Sequence, residues 1–508
     1  MIRVKCNQNA ILYYAYHLAK AFLPDREITS EVIPEQEEAV CLEGEISLKA
    51  ETERDLYTAL RDLTGEDLPW GMLTGVRPTK LASSWLEEHQ IGTQETDSCY
   101  REMQQAFADW FYQDRFVSRP KAQIAFQIAL KERRICGELA AQEYHKVVDG
   151  KHFLPGWSLY IGIPFCPSVC SYCSFSSGSI DMYRDRVDRY LEALFREMEQ
   201  KAEMMNESWP STVYIGGGTP TSLNEEQLKK LLSEADRIFA IPEGLRTGKI
   251  REFTVEAGRP DSITEGKLNV LKQHGVTRIS INPQSMQQKT LDVIGRSHTV
   301  QQIRDAFRMA RNMGFDNINM DIIAGLPGET HADMEDTLRQ IRELSPDSLT
   351  VHSLAIKRSS AMGIRKKLAE RGAGSQNASS AAAAAGEELS LTAGSGEISR
   401  MIESAYEAAR EMGMEPYYLY RQKSIAGNFE NIGYARPGKE GLYNILIIEE
   451  VQSILACGAG AGTKLLFAEP VPNPARNGQL THMIRQENVK SIDEYIRRSE
   501  QETGENHA

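Results

Sequence analysis

The segment Leu159-Tyr-Ile-Gly-Ile-Pro-Phe-Cys166-Pro-Ser-Val-Cys170-Ser-Tyr-Cys173-Ser-Phe175 runs from an apolar, β-rich stretch into a loop that holds three of the chain's eight cysteines. The strand ends near Phe165, and the loop then presents three thiols spaced C-x3-C-x2-C. A structural zinc site closes a tetrahedron with four protein ligands, and no further Cys or His follows within the loop. Three cysteine ligands suit a [4Fe–4S] cluster with one iron left open to a small molecule. That reading is preferred to zinc or to unligated structural thiols. Cys6, Cys41, Cys99, Cys136 and Cys457 are scattered singly, so metal binding in a reducing compartment fits better than a disulfide framework.

Outward from this loop, short β-rich runs alternate with longer helical patterns. The runs are Ser158–Pro164, Thr212–Ile215, Glu252–Glu256, Arg278–Ile281, Asn317–Ile323 and Ser348–Leu354. Helical patterns lie between them at Tyr190–Met205, Gln227–Phe239, Thr264–His274, Val300–Met313 and Ala332–Leu344. This alternation implies an α/β fold with a parallel sheet covered by helices. Six units fit a partial, TIM-like (β/α)6 barrel, whose functional positions lie at the C-terminal ends of the strands.

Polar groups fall where that geometry asks for them. The second run ends in Gly216-Gly217-Gly218-Thr219-Pro220, where glycines admit close backbone approach to a ligand. The third ends in Glu256, Gln284 follows the fourth, and Asp321 lies towards the end of the fifth. Arg296 lies between the fourth and fifth. Singly, each is compatible with a cap or a satisfied surface group. Aimed at one barrel mouth, together they make a polar ligand site.

The flanks divide into an N-terminal α+β domain over residues 1–154, the barrel over 155–356, a low-complexity insertion over 357–398 and a C-terminal α+β region over 399–508 that covers the substrate. In the N-terminal domain helix-like segments (Glu53–Leu63, Gln104–Phe111, Ile124–Ala141) alternate with a strand-like one at Glu38–Leu48. Ile11, Leu12, Ala15, Leu18 and Phe22 recur at helical spacing and read as a packed amphipathic helix, not a signal peptide. Arg77 and Lys80 sit in a loop held by Gly75 and Pro78. Small and polar residues from Arg371 to Glu397 cannot build a core. The segment Glu415–Phe467 is strand- and loop-rich, and Ile484–Ala508 reads as a polar helix with a frayed tail.

The chain has 508 residues, 58 Lys and Arg against 71 Asp and Glu, and a formal charge of −13. No apolar run reaches the ~20 residues of a membrane helix, and the acidic balance argues against nucleic-acid or anionic-membrane partners. A cytoplasmic location is expected.

The cysteine spacing resembles that of the radical S-adenosylmethionine (SAM) superfamily over Ser158–Ala355. The ordered segments LYIGIPFCP, GGGTPT, VEA, QS and DIIAGLPGET resemble more narrowly the oxygen-independent coproporphyrinogen III oxidases and their relatives. WGMLTGVRPTKL near residue 70 and YYLYRQKSIAGNFENIGYARPGKEGLYNI at Tyr417–Ile445 are similar to the HemZ-type coproporphyrinogen dehydrogenases. The resemblance implies a [4Fe–4S] cluster on Cys166, Cys170 and Cys173, with one or two SAM molecules. It places Tyr160, Gly217, Glu256 and Gly462 at the cluster-bound SAM, and Tyr172, Gly218, Thr219, Gln284, Arg296, Asp321 and Ala355 at a second SAM site. It implies coproporphyrinogen III or a haem-like tetrapyrrole as substrate or ligand, and an electron donor such as flavodoxin or ferredoxin. Arg421, Lys423, Arg436 and Lys439 are candidate partners for propionates.

Two positions depart from the oxidase pattern. Phe175 stands where the oxidases have a fourth cysteine, and Gly162 where they have a histidine. The missing cysteine is shared with the haem-chaperone branch, which makes a haem-binding protein the first rival to the oxidase. That branch carries an HNxxYW-type motif, of which Tyr443-Asn444 keeps the Asn but neither His nor Trp. A tRNA-modifying radical enzyme is a second rival that the acidic charge disfavours.

Overall fold

The computed structural model describes residues 2–6, 9–23, 26–32, 46–50, 52–75, 77–92, 97–140, 146–148, 151–174, 178–205, 208–357, 360–365, 394–421 and 429–505. Phe175, Lys423 and most of the low-complexity insertion, residues 366–393, lie outside them.

The six expected strands form. They are β1 (Trp157–Ile163), β2 (Thr212–Gly217), β3 (Glu252–Glu256), β4 (Arg278–Ser280), β5 (Ile318–Ala324) and β6 (Ser348–Ser353), each parallel to the next. Their side chains are buried almost without interruption, as strands covered on both faces require. The covering helices are α1 (Val187–Met204), α2 (Glu225–Phe239), α3 (Glu265–Gln273), α4 (Val300–Asn312) and α5 (His331–Leu344). Local chemistry sets their starts. Asn224 with Gln227, Thr299 with Gln302 and Thr330 with Asp333 close reciprocal caps at α2, α4 and α5. The caps at α2 and α4 hold helix starts just after the segments that carry Gly218, Thr219 and Arg296.

The C-terminal region joins the same sheet. After α6 (Ser395–Glu411), β7 (Glu415–Arg421) and β8 (Glu430–Ala435) extend it antiparallel beyond β6. α7 (Leu442–Glu449) leads to β9 (Ser453–Cys457), which pairs parallel to β1 at the opposite edge. β10 (Gly462–Pro472) and β11 (Leu480–Glu487) follow antiparallel, and α8 (Ile492–Glu505) ends the described chain. The helix expected from Ile484 therefore begins at Ile492, because residues up to Glu487 pair with β10. An edge strand needs only backbone partners and leaves polar side chains in water, so hydropathy does not mark it.

Two large cores result. One unites the barrel with residues from Trp70 to Ala129, and the other is built from Val4 to Met72. The second packs the helix Asn9–Phe22 and the helix Glu53–Thr64 on a three-stranded parallel sheet, with Ile2–Cys6 between Ile28–Val32 and Ile46–Ala50. Of the strand expected at Glu38–Leu48, residues 38–45 lie outside the described residues, and Ile46–Leu48 belong to the strand Ile46–Ala50.

Candidate functional site

A cavity of about 320 Å³ opens at the C-terminal ends of the barrel strands. Cys166, Cys170 and Cys173 line one side, none of them in a disulfide. Tyr172, Gly217, Gly218, Thr219, Glu256, Gln284, Arg296, Asp321 and Ala355 complete the set that the sequence brings to this mouth.

The cysteine loop is anchored by groups far away in sequence. Ser171 N donates to Ile294 O at 3.1 Å, Met362 N donates to Ser171 O at 2.9 Å, and Ser168 Oγ donates to Gly295 O at 3.2 Å. Gly218 N donates to Ile163 O at 2.8 Å and Thr219 N to Phe165 O at 2.7 Å, which ties the glycine run to the loop's entry. Gly217 has φ +107°, a conformation that L side chains rarely adopt. A Cβ on Gly218 would lie 2.6 Å from Phe165 O. Thr219 Oγ1 donates to Cys166 Sγ at 3.5 Å.

The three thiols fit a cluster better than a single ion. A structural ion takes four protein ligands in a closed tetrahedron, whereas a cubane takes three cysteines at separate corners and leaves one iron open. The rest of the wall fits a polar ligand. Gln284 is in the left-handed region at φ +65°, and it is 8% exposed. Its Oε1 has no hydrogen-bond partner, and neither has Arg296 Nε. Buried polar atoms left unpaired are costly, and a non-glycine residue held at positive φ stores strain at functional sites.

The carboxyls differ in charge state. Burial pushes Glu256 up to about 7, against the pull of the Tyr214 hydroxyl, which donates to it at 2.6 Å. Burial also acts to raise Asp321, but His352, Asn319 and Thr350 outweigh it and hold this carboxyl below its ordinary value. Asn319 Nδ2 donates to Asp321 Oδ1 at 2.6 Å. The same cavity therefore offers one carboxyl poised near neutrality and another held as an anion.

Two of the sequence-derived positions do not line the cavity. Tyr160 lies within the barrel, its ring stacked at 6.2 Å on Tyr214 and 6.3 Å on Tyr443. Gly462 is exposed at the start of β10, where it pairs with Glu487. The loop before it turns away after Ala461, which lies near Gly162.

The candidate propionate partners also point elsewhere. Arg421 is buried against the N-terminal region and donates to Leu73 O at 2.8 Å. Arg436 donates to Ser345 Oγ at 2.6 Å, and Lys439 pairs with Asp316 at 3.1 Å. Arg77 donates to Ile448 O at 2.6 Å and pairs with Glu450 at 2.9 Å, so its loop serves an internal contact. The cavity cations are instead Arg259, Arg278, Arg296 and Lys357. Arg259 and Arg278 were missed. Arg259 follows β3 in Gly258-Arg259-Pro260, and Arg278 opens β4, where an arginine in an apolar run signals a buried polar interior.

Comparison with known proteins agrees with this geometry. The radical SAM superfamily model matches residues 160–341. The oxygen-independent coproporphyrinogen-III oxidase-like protein HemZ of Bacillus subtilis is 39% identical over 85% of this chain and 75% of its own length. Heme chaperone HemW of the same organism is 38% identical over 39% of this chain and 51% of its own. The oxygen-independent coproporphyrinogen III oxidase of Salmonella typhimurium is 30% identical over 39% of this chain and 42% of its own. The solved coproporphyrinogen III oxidase HemN of Escherichia coli superposes with a TM-score of 0.50 at 20% identity, over 68% of this chain and 69% of that one, and so shares the fold. A superfamily match across the barrel, together with a relative aligned along most of both chains, establishes that this chain belongs to the radical SAM superfamily and, within it, to the HemZ-like coproporphyrinogen oxidase family, with a [4Fe–4S] cluster and SAM as its cofactors.

Proposed function

We propose that this chain carries out the oxygen-independent oxidative decarboxylation of coproporphyrinogen III to protoporphyrinogen IX in cytoplasmic porphyrin synthesis. The observation that carries the reading is the shared cavity. It is lined together by the three cysteine thiols, the glycine–threonine run, Gln284, Arg296 and Asp321. When bound, the cofactors supply an electron that splits SAM into methionine and a 5′-deoxyadenosyl radical able to take hydrogen from an unactivated carbon. Loss of a propionate hydrogen, loss of CO₂ and transfer of one further electron to an external one-electron acceptor would leave a vinyl group, and two propionates would react in turn.

This chain's residues do the placing. The family likeness assigns Glu256 and Gly217 to the cluster-bound SAM and Tyr172, Gly218, Thr219, Gln284, Arg296, Asp321 and Ala355 to a second SAM, and all of them line the one cavity. Arg278, whose buried Nε has no hydrogen-bond partner, and Lys357 line the cavity and suit propionates by charge-assisted hydrogen bonds. A flavodoxin or ferredoxin supplies the electron.

The test is anaerobic reconstitution with iron and sulfide, followed by SAM, reductant and coproporphyrinogen III. Protoporphyrinogen and methionine are the expected products. SAM cleavage without protoporphyrinogen rejects the oxidase.

A haem-binding role is the second reading, supported by the likeness to HemW across the barrel. Tyr443 and Asn444 weigh against it. The Tyr443 ring stacks on Tyr214 at 4.5 Å, and Asn444 Nδ2 donates to the Tyr417 hydroxyl at 3.2 Å, so both are engaged inside the barrel. Haem retained at one per chain, with no decarboxylation, would favour this reading.

A further inference from the structure

Arg259 is 2% exposed and stands behind the cysteine loop. Its guanidinium makes two sets of contacts. Nε and Nη2 grip Asp261 at 3.0 and 2.9 Å. Nη1 donates to Ser168 O at 2.9 Å, Nη2 donates to Ser168 Oγ at 3.1 Å, and Nη1 approaches Cys170 Sγ at 3.9 Å. Asp261 also meets His298 Nδ1 at 3.5 Å. The Arg296 side chain faces the Cys170 thiol from the same cavity.

The pairing with Asp261 largely cancels the arginine's charge. What remains directed at the loop is a rigid fork of donors, a geometry that lysine cannot reproduce. Hydrogen bonds to cluster sulfurs and groups just outside the ligands set the reduction potential of iron–sulfur centres. A donor to a ligand sulfur stabilises the reduced, more electron-rich cluster.

We propose that Arg259 is a positioning residue for the cluster. It fixes Ser168 and Cys170 in one arrangement and raises the cluster's reduction potential through the N–H directed at Cys170 Sγ. This division of labour explains why a cation sits beside a ligand cysteine while its charge is spent on Asp261. Arg259 sits outside the Gly216–Thr219 run and outside the set of side chains ascribed to SAM.

The test is an EPR-monitored redox titration of reconstituted protein, without substrate, on wild type, R259K and the neutral pair R259M/D261N. Iron and sulfide are assayed in each. R259K keeps the charge and loses the fork. It should load the cluster, yet at a fixed applied potential the ratio of reduced to oxidised cluster should fall about tenfold, which is 59 mV for a one-electron couple. R259M/D261N should shift the same way, because it lacks the donor without leaving a buried charge. A loaded R259K whose midpoint coincides with that of wild type overturns the proposal. If R259K loads no cluster, the midpoint of R259M/D261N decides by the same criterion. Loss of loading in both variants, with the fold retained by circular dichroism, also overturns the potential-setting role and leaves only loop assembly.

Discussion

Replacing Glu256 with Gln probes a carboxyl whose ionisation costs the folded protein. The group ends β3 inside the cavity wall, and burial raises it from 4.5 to about 7. In the unfolded chain it ionises near the ordinary value. Between about 4.5 and about 7 the folded state therefore binds more protons than the unfolded one, and stability falls as pH rises through that window. At about 1.36 kcal/mol for each step of ten in the ionisation constant, the ceiling of the effect is about 3 kcal/mol, reached above about pH 7. Gln is nearly isosteric, still accepts from the Tyr214 hydroxyl and cannot ionise. E256Q should match wild type near pH 4 and exceed it by up to about 3 kcal/mol at pH 8. Glu329 is also raised to about 7, chiefly by burial. It contributes the same slope to both proteins, so only their difference reads Glu256. The assay is anaerobic urea unfolding of cluster-free protein across this range. A stability difference that stays constant with pH refutes the reasoning.

Cys170→Ala should abolish the brown chromophore and bound iron after reconstitution, whereas Cys457→Ser, at a buried thiol outside the cavity, should retain both, as read by absorption and iron analysis. Gly218→Ala places a Cβ 2.6 Å from Phe165 O and 2.9 Å from Ile163 O. Because backbone cannot yield as a flexible side chain does, SAM affinity by calorimetry should fall at least about tenfold. Lys121→Met leaves the buried Glu430 without its cation, and urea unfolding should register a loss of about 3–5 kcal/mol. Trp70→Phe removes an indole donor that reaches Glu430 Oε2 at 2.7 Å, and should cost about 1.5–3 kcal/mol by the same measurement.

The barrel was legible because its signals are local. Each strand is a short apolar run between turn residues, and each cysteine or glycine of the site sits at a strand end where the βα geometry leaves one place for it. Thus Gly217, Glu256 and Asp321 met in one cavity as their strand positions required. What failed depends on partners far along the chain. Arg421 reads as a surface cation until Leu73 and Trp70 close over it, 2.8 Å away in the first case. β11 is polar on most of its length and is a strand only because β10 lies beside it. Gly462 follows a glycine-rich run that suggests a ligand loop, but pairing with Glu487 turns it outward. Arg259 escaped notice because nothing in its sequence neighbourhood announces Ser168, which precedes it by 91 positions.

The same dependence on distant partners gives the N-terminal region a physical role. A barrel of six strands leaves an open edge at β6, and an unpaired edge is a liability. Here β8 and β7 cover it, and they carry Asn431, Tyr418 and Tyr420 into the cavity wall. Those two strands are themselves held from behind. Trp70 and Lys121 both converge on Glu430 of β8, and Lys131 grips Glu415 of β7 at 2.7 Å and Glu440 at 3.3 Å. Arg421 at the end of β7 closes onto Leu73. Lys121, Glu430, Lys131 and Glu440 are largely buried, Glu415 being the exposed member, so each buried pair repays its desolvation only while its partner stays in place. The helix Arg119–Ala140 and the Trp70 loop thus act as the outer frame of the cavity's far wall. A chain cut before β1 would lose the counter-charges of Glu430 and Arg421's carbonyl partner at once. The wall that faces the cysteines is therefore built from residues on both sides of the barrel sequence, and Lys121→Met should disturb ligand binding at the cavity as well as global stability.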